Sequence, residues 1–525
     1  MPSRRADDTD SRTRLATAAR VIALLFAIGL VLYAAQGPRG TDQYWYVADA
    51  ETLAAGNAPL SNTWFPMGLL RAEADAEHYR APFYHNGPLL HLVAVLDRAL
   101  PLSAYAIWIG INLLCLLLTV GVTHRWLRRR TNAELAGWMA AFAAVSPIGI
   151  WQAANVLRET WFGALGALAI ALFFLVRRRR HRFWTEIALA AVLGLGALAH
   201  PMFLILLALL GLVRALEWLS ERRASRFALI LPAVAAITVV VRFKDAWFPS
   251  SFQPDLESII VSAVPGVTNM AWHFADVQAT LDGSFLLAKL RAAAEKQFAD
   301  PLLAPIYLQT NAAVLAWALL VVAAVRHRRD VQRRGGAPGR VPSLFTLLVL
   351  GTFLGLYAAM IVLQQNHMRF QQLVAPAAFV LIGHALHVYL PRHWLPILML
   401  PLVLGFAAVS TVMAKRLHDE ALGERRDRAV LEEAFDFVAA DARVLFVDVT
   451  LHDPMSFVLR PTPALFIRSA LIDDDVAAEA IARFAPDVLV TAGNDVPYGL
   501  EGFEARDAFD TPSFGPLVVR ARAGE

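Results

Sequence analysis

An acidic side chain lies just beyond the first strongly apolar run of the sequence. It is Asp42, in the stretch GTDQYWYVADAETLAAG that covers residues 40–56. A carboxylate held outside the hydrocarbon can act as a general base that removes a proton from an attacking hydroxyl group. Asp also suits the start of a helix, where it caps unpaired N–H groups and meets the positive end of the helix dipole. We expect a short helix here that stops at the glycine ending the stretch, with one face formed by Tyr46, Ala50 and Leu53.

Four further places near the ends of apolar runs carry groups that could contact a substrate. They are His85, the pair Arg158–Glu159, His200 and Arg369. The planar fork of an arginine matches a phosphate diester, although an arginine at a membrane boundary can equally extend to the headgroups. A neighbouring Arg and Glu can form a mutual salt bridge, and a histidine can be an ordinary interfacial or turn residue. Binding and structural roles therefore both stay open at all four places.

The composition indicates a polytopic membrane protein. The 525 residues are 57% hydrophobic and only 18% charged, and the mean hydropathy is +0.49. The sequence pI is near 9.3, but the basic residues occur in short clusters between apolar runs, which is a sign of membrane topology. We therefore expect contact with membrane lipids and no nucleic-acid partner. The single cysteine, Cys115, excludes an intramolecular disulfide.

About eleven apolar runs are long enough to approach the roughly 30 Å of a bilayer core. A signal-anchor helix is expected first, after the polar residues 1–14. The sequence His200–Pro201 divides what would otherwise be one run of more than thirty residues into two helices. The runs cover residues 15–35, 103–124, 134–151, 159–176, 184–199, 202–219, 226–242, 306–325, 342–363, 370–389 and 394–414.

The arginine clusters indicate how these runs are oriented. With the N-terminus in the cytoplasm, every cluster between the runs falls on the cytoplasmic side, as the positive-inside rule requires. The clusters are Arg125 with Arg128 to Arg130, Arg177 to Arg180 with Arg182, Arg222 with Arg223 and Arg226, and Arg326, Arg328, Arg329, Arg333 and Arg334. Three long segments are then extracytoplasmic: 36–100, 243–305 and 415–525. The aromatic-rich segment 243–305 is typical of amphipathic helices lying at the membrane surface.

The last segment, 415–525, has the pattern of a separate small α/β domain outside the membrane. It carries 12 Lys and Arg against 21 Asp and Glu, whereas the rest of the chain is basic. Helices are expected at 425–440 and 475–484, and strands at 444–449, 464–467, 487–490 and 516–519. The run Asp473 to Asp475 is interpreted as the acidic start of a helix, because no second group of metal ligands is evident near it.

The pattern D-x3-Y-x3-A-x2-L-x2-G, directly after a first membrane helix that starts inside, resembles the first outer loop of GT-C glycosyltransferases. The similarity is to the branch with the lipid A aminoarabinose transferases and the protein O-mannosyltransferases. In that loop the family has an Asp-Glu pair at the catalytic centre. Asp42 matches the Asp, and Gln43 replaces the Glu. The resemblance implies a GT-C-like all-α transmembrane domain over residues 15–414, with 36–100 as the catalytic loop.

Two more stretches continue the resemblance. Tyr84 to Pro88 matches an aromatic-x-polar-Pro element that leads into an amphipathic helix, and it offers His85 where relatives place a phosphate-binding Lys. The stretch NHMRFQQLVAP resembles an element whose arginine, here Arg369, faces the donor phosphate. By the same resemblance Asp42 and Glu159 are the catalytic acids. The substrate-binding residues implied are Tyr46, His85, Arg158, His200 and Arg369.

An outward-facing site cannot use nucleotide sugars from the cytosol. The expected donor is therefore a sugar on a polyprenyl phosphate, with transfer to a hydroxyl group of a glycan, lipid or protein acceptor. The resemblance implies inversion at the anomeric carbon, and the spacing of the site residues admits a divalent cation without requiring one. The expected location is a bacterial inner membrane. Two alternatives are a transporter or flippase of lipid-linked saccharides and a non-catalytic membrane scaffold.

Overall fold

A computed structural model describes most of the helical chain and the core of the tail. The described residues are 2–56, 60–61, 63–64, 79–80, 88–157, 161–175, 182–199, 201–220, 229–243, 291, 295, 304–334, 341–362, 371–439, 441–449, 462, 464–467, 474–492, 498, 500, 502–511 and 515–522. The expected amphipathic segment 243–305 lies almost wholly outside them.

Each predicted apolar run coincides with a helix or with a bent pair of helices. The helices before the middle of the chain are α1 (Pro2–Ala34), α2 (Gly40–Ala54), α3 (Pro88–Ala99), α4 (Ala104–Arg130), α5 (Ala133–Ala144), α6 (Pro147–Ala153), α7 (Trp161–Leu175), α8 (Arg182–Ala199), α9 (Pro201–Ser220) and α10 (Ile230–Phe243). They are followed by α11 (Ala304–Arg334), α12 (Leu344–Val362), α13 (Gln371–Tyr389) and α14 (Leu395–Ala434). The break between α8 and α9 confirms the helix boundary predicted at His200–Pro201.

The chain is a multi-pass membrane protein. In the described part, five helices are long and apolar enough to cross a membrane, or six if α5 and α6, bent by 50°, form one span. Shorter apolar stretches occupy 161–175, 183–197 and 344–358. The total of about eleven crossings stays a prediction.

The chain divides into two compact units. The first comprises Met1–Ala34, Ile109–Phe243 and Gln278–Leu417. Its helices approach closely at small residues: a Cβ on Gly137 of α5 would lie 3.0 Å from Ala16 of α1, and a Cβ on Gly166 of α7 would lie 3.0 Å from the Leu373 carbonyl of α13. Such contacts are typical of helix packing in lipid, where van der Waals contact replaces the hydrophobic effect.

The second unit comprises Ala35–Trp108, Lys244–Val277 and His418–Glu525, and its centre is a six-stranded sheet of order β2-β5-β4-β6-β8-β7. The first four strands are parallel, and β8 and β7 are antiparallel. A separate antiparallel pair joins β1 (Leu60–Ser61) to β3 (Tyr79–Arg80). The sheet strands are β2 (Thr63–Trp64), β4 (Val444–Val447), β5 (Ala464–Ile467), β6 (Val488–Thr491), β7 (Phe503–Thr511) and β8 (Gly515–Arg522).

Helices cover both faces of this sheet. Successive strand residues point to opposite faces, so Val444 and Phe446 pack with Leu431 and Phe435 from the end of α14. Leu445 and its neighbours instead pack against helix α15, Asp474–Phe484. All four predicted strands are present, and Asp474 and Asp475 occupy the first turn of α15, as predicted. The sequence did not predict β7, nor β2, which comes from the segment 36–100.

The predicted tail helix at 425–440 is wrong in extent. It is the continuation of α14, which runs unbroken from Leu395 to Ala434 through the membrane segment and into the second unit. Residues 415–434 are rich in Arg, Glu, Leu and Ala, all strong helix formers, and contain no proline. Helix formation is cooperative, so extending an existing helix costs less than starting a new one.

Candidate active site

The backbone of Asp42 lies in the first turn of α2, not before it. The N-cap residue is Arg39, with extended backbone angles and no side-chain cap hydrogen bond. The alternative interpretation of Asp42 as the N-cap is therefore wrong, because the helix starts at Gly40, three residues earlier than that interpretation requires. The predicted end of the helix is confirmed: Ala55 is the C-cap and Gly56 has a φ of +86°, which favours glycine.

One face of α2 is buried in the second unit. Tyr46 is 3% exposed and its ring stacks on Trp108, with centroids 5.7 Å apart. Ala50 is also buried, as is Asp49 at 7% exposure. Asp49 is an acid that sequence reasoning missed. Its spacing of seven residues from Asp42 was the available signal, because residues i, i+4 and i+7 share a helix face.

Charged residues of α14 surround the start of α2. Arg39 is only 5% exposed, and burial lowers the pKa of its guanidinium, an effect opposed by Tyr105, Glu420 and Glu424. Tyr44 is buried beside the same α14 carboxylate and donates a hydrogen bond to Glu424. Burial, and then the negative charge of Glu424, raise the pKa of the Tyr44 phenol, so it stays protonated as the donor.

Two further hydrogen bonds hold the ends of α2. Before the helix, the backbone N–H of Gly37 donates to the Tyr105 hydroxyl at 3.1 Å. At the other end, Nε of Arg98 donates to the carbonyl of Ala54 at 2.9 Å, so a cation of α3 satisfies the helix C-terminus. The predicted amphipathic helix after Pro88 is confirmed as α3, which buries Leu89, Leu90 and Val93. The segment carrying Asp42 is thus fixed at both ends.

A second group of functional interest is a polar layer inside the first unit, at the end of the helices away from the arginine clusters. Ser146 Oγ donates to Gln309 Oε1 at 3.0 Å, and Thr310 Oγ1 donates to Gln371 Oε1 at 2.9 Å. Asn112 Nδ2 donates to the backbone carbonyl of Asn155 at 2.6 Å, which satisfies the chain after α6. Hydrophobicity and charge patterns did not single out these neutral residues. We define the polar layer as Asn112, Ser146, Gln309, Thr310, Gln371 and Gln372, all of which are buried.

A small cavity of about 30 Å³ opens within the polar layer, with Asn112, Ser146 and Gln372 in its wall. Within the described residues, Asn112 Oδ1 and Gln372 Oε1 are buried and accept no hydrogen bond. A site of this size holds one or two water molecules, which commonly satisfy such oxygens. The layer is therefore a buried group of polar side chains inside an otherwise apolar helix bundle.

Most of the predicted site residues lie outside the described part of the chain. His85, Arg158, Glu159, His200 and Arg369 fall in the gaps, so their predicted roles stay predictions. The polar layer nevertheless lies near two of these gaps in sequence. Asn155, whose carbonyl accepts from Asn112, precedes Arg158 by three residues, and Gln371 follows Arg369 by two residues. Among the described residues, no group of three or more His, Cys, Asp or Glu could hold a metal ion.

Comparison with solved structures identifies the fold. ArnT from Cupriavidus metallidurans bound to undecaprenyl phosphate superposes with a TM-score of 0.57 and 13% identity, covering 96% of this chain and 98% of that one. The Archaeoglobus fulgidus oligosaccharyltransferase, in a complex with zinc and sulfate, gives 0.54 and 14% identity, covering 96% of this chain and 73% of that one. No protein family matches the sequence, and no curated protein sequence matches it significantly.

The chain therefore has the fold of the GT-C membrane glycosyltransferases. The resemblance inferred from the sequence is confirmed at the level of the fold. Because ArnT is covered almost to its full length, the shared fold includes the part of the chain beyond the membrane helices.

Proposed function

We propose that this chain is a glycosyltransferase that moves a sugar from a polyprenyl-phosphate donor to an acceptor hydroxyl group. The observation that carries the proposal is the near full-length fold match to ArnT, a structure that contains undecaprenyl phosphate. A donor anchored by an isoprenoid chain also suits a protein of this hydropathy, because the tail can lie between membrane helices. The acceptor is a hydroxyl group of a glycan, lipid or protein.

In the proposed reaction Asp42 is the general base. Its carboxylate removes the proton from the acceptor hydroxyl as that oxygen bonds to the anomeric carbon. The bond from this carbon to the phosphate oxygen breaks, and polyprenyl phosphate leaves with the bonding electron pair. Attack opposite the leaving group inverts the configuration. A positioned base of this kind contributes about 10²–10⁴-fold to the rate.

The setting of α2 supports this role. Position 42 lies in the first helical turn, where unpaired backbone N–H groups favour negative charge and hence an ionised carboxylate. Tyr46, proposed to contribute to the substrate site, is buried on the same helix, and its stacking on Trp108 fixes the helix in place. A base held rigidly loses less entropy on reaching the reactive geometry.

The leaving phosphate needs positive charge. We assign this role to Arg369 and His85, with Arg158 and His200 as further substrate contacts and Glu159 as a second, positioning acid. Electrostatic groups aimed at developing charge are typically the largest contribution to such a reaction. The polar layer supports the assignment, because its hydrogen bonds hold Asn155, three residues before Arg158, and Gln371, two residues after Arg369.

Donor turnover by purified variants tests the proposal. The protein is incubated with a panel of radiolabelled polyprenyl-phosphate sugars, and the label released from lipid is measured. We expect Asp42→Asn to lower turnover by about 10²–10⁴-fold, and Asp97→Asn, an acid of the same outer segment, to leave it unchanged. Arg369→Gln should lower turnover more than Arg369→Lys, which keeps the charge. Undiminished turnover in Asp42→Asn would exclude this base, and no turnover of any donor would contradict the function.

The proposed orientation places the N-terminus in the cytoplasm and the tail outside a bacterial inner membrane. Single cysteines introduced at residue 11 and at residue 510, in a Cys115→Ala background, can be labelled in intact cells with an impermeant thiol reagent. We expect labelling at the tail position only. Labelling at residue 11 alone would reverse the topology and place Asp42 on the wrong side for a lipid-linked donor.

A further inference from the structure

A cavity of about 100 Å³ lies between α4 and α7, at the end of α4 that carries the arginine cluster. It belongs entirely to the first unit and is separate from the polar layer. One wall is basic and the other is apolar. Its lining includes Arg125, Trp126, Arg129 and Arg130 from α4, and Phe174 and Leu175 from α7.

The basic wall is organised and not merely charged. The Arg130 guanidinium lies over the ring of Trp126 at 5.2 Å and over the ring of Phe174 at 5.9 Å. These contacts fix the guanidinium by cation–π attraction. Arg125 and Arg129 are spaced by four residues, so they lie on one face of α4. None of the described residues that line the cavity is acidic, so this lining favours an anion.

A buried donor points to the same kind of ligand. Trp126 is only 8% exposed, and its indole Nε1–H has no hydrogen-bond acceptor within the described residues. A buried indole N–H normally has a partner, because leaving it unpaired costs free energy. An oxygen atom of a molecule seated in the cavity would supply the acceptor.

We propose that this cavity binds the phosphodiester headgroup of an anionic phospholipid. The guanidinium groups of Arg125, Arg129 and Arg130 and the N–H of Trp126 donate hydrogen bonds to the phosphate oxygens. The Phe174 and Leu175 side chains contact the start of the acyl chains. The positive-inside rule explains why arginines occur at this end of α4. The rule does not account for a cavity that is lined by Trp126 and Phe174 and that contains a buried N–H donor without an acceptor in the described residues. Basic pockets between membrane helices on the cytoplasmic side are known sites for anionic headgroups.

The test is lipid binding by native mass spectrometry, with the full-length protein purified in neutral detergent. Phosphatidylglycerol and phosphatidylcholine with identical acyl chains are titrated separately. We expect phosphatidylglycerol to be retained preferentially. Arg125→Gln and Arg129→Gln should each weaken its binding about fivefold, the effect of one basic residue near a lipid surface. Trp126→Phe keeps every charge but removes the N–H donor, and should also weaken binding.

Arg128→Gln is the matched control, because Arg128 is exposed in the same cluster but does not line the cavity. Its binding should match that of the wild type. Equal retention of the two lipids would overturn the proposal. An equal loss of phosphatidylglycerol binding in Arg128→Gln and Arg129→Gln would also overturn it, as would unchanged binding in a folded Trp126→Phe. Either result is expected of a diffuse basic surface without a defined site. Displacement of the lipid by excess inorganic phosphate alone would identify a free-anion site instead.

Discussion

Tyr46 stacks on Trp108 with ring centroids 5.7 Å apart and ring planes 27° apart. The contact joins α2, which carries Asp42, to the first residues of α4. Both rings are almost fully buried, so this pair is a packing contact and not an open surface. The contact sets the position of α2 from its side, while Tyr44 and Arg98 act near its ends.

Replacing Tyr46 should distinguish the contribution of its ring to packing from any contribution of its hydroxyl group to sugar transfer. Tyr46→Leu removes the ring stacking, which contributes about 0.5–1.5 kcal/mol beyond area burial, and should lower both thermal stability and sugar transfer. Tyr46→Phe retains the ring stacking and should lose less stability than Tyr46→Leu. Melting in detergent and donor turnover measure the two effects. A loss of transfer in Tyr46→Phe at unchanged stability would instead show that the hydroxyl group contacts substrate.

The hydrogen bond from Tyr44 to Glu424 should make stability depend on alkaline pH. The pKa of Tyr44 is raised in the folded protein above its ordinary value of 10.0. Its contribution is therefore complete below about pH 10, and it is lost as the pH rises further, because only the unfolded chain then releases the proton. We expect the stability advantage of the wild type over Tyr44→Phe to shrink above that pH. An advantage that stays constant up to pH 11 would contradict the raised pKa.

The hydrogen bond between Thr310 and Gln371 can be tested by a double-mutant cycle. Thr310→Val removes the donor to a buried amide oxygen, which should cost about 1–3 kcal/mol. Thr310→Ser keeps the hydroxyl group and should restore most of the stability. The double variant with Gln371→Leu should be less destabilised than the sum of the single variants, because both polar partners are gone. Additive losses would show that the two residues do not interact.

Gly166 should not tolerate a larger side chain. A Cβ there would lie 3.0 Å from the Leu373 carbonyl oxygen, which is backbone and cannot turn aside. Gly166→Ala should therefore separate α7 from α13 and destabilise the protein by about 1–3 kcal/mol. Gly110→Ala is the control, because an added Cβ meets nothing within 4 Å there and alanine favours the helix. Thermal unfolding of the two variants gives the comparison, and equal melting temperatures would refute the close contact.

Much of the helical framework could be read from the sequence, because hydropathy is a property of consecutive residues. Each apolar run corresponds to a helix, and the break at His200–Pro201 lies where proline and bilayer thickness require it. The helix after Asp42 was also expected, although its start was not. The cap is Arg39, an unfavourable cap residue, whose position is set by burial against α14 and not by local preference.

The sequence by itself determined a membrane protein with an acid directly after its first apolar helix and an α/β tail. Only the tertiary structure decided which distant residues meet. Trp64 pairs with Leu465, Tyr44 bonds to Glu424, and Thr310 bonds to Gln371. Such contacts join residues far apart in the chain, and neutral amides or a two-residue strand give no periodic signal of their own. Their partners are selected by the cost of leaving a buried polar group or a strand edge unpaired, which arises only once the chain has folded.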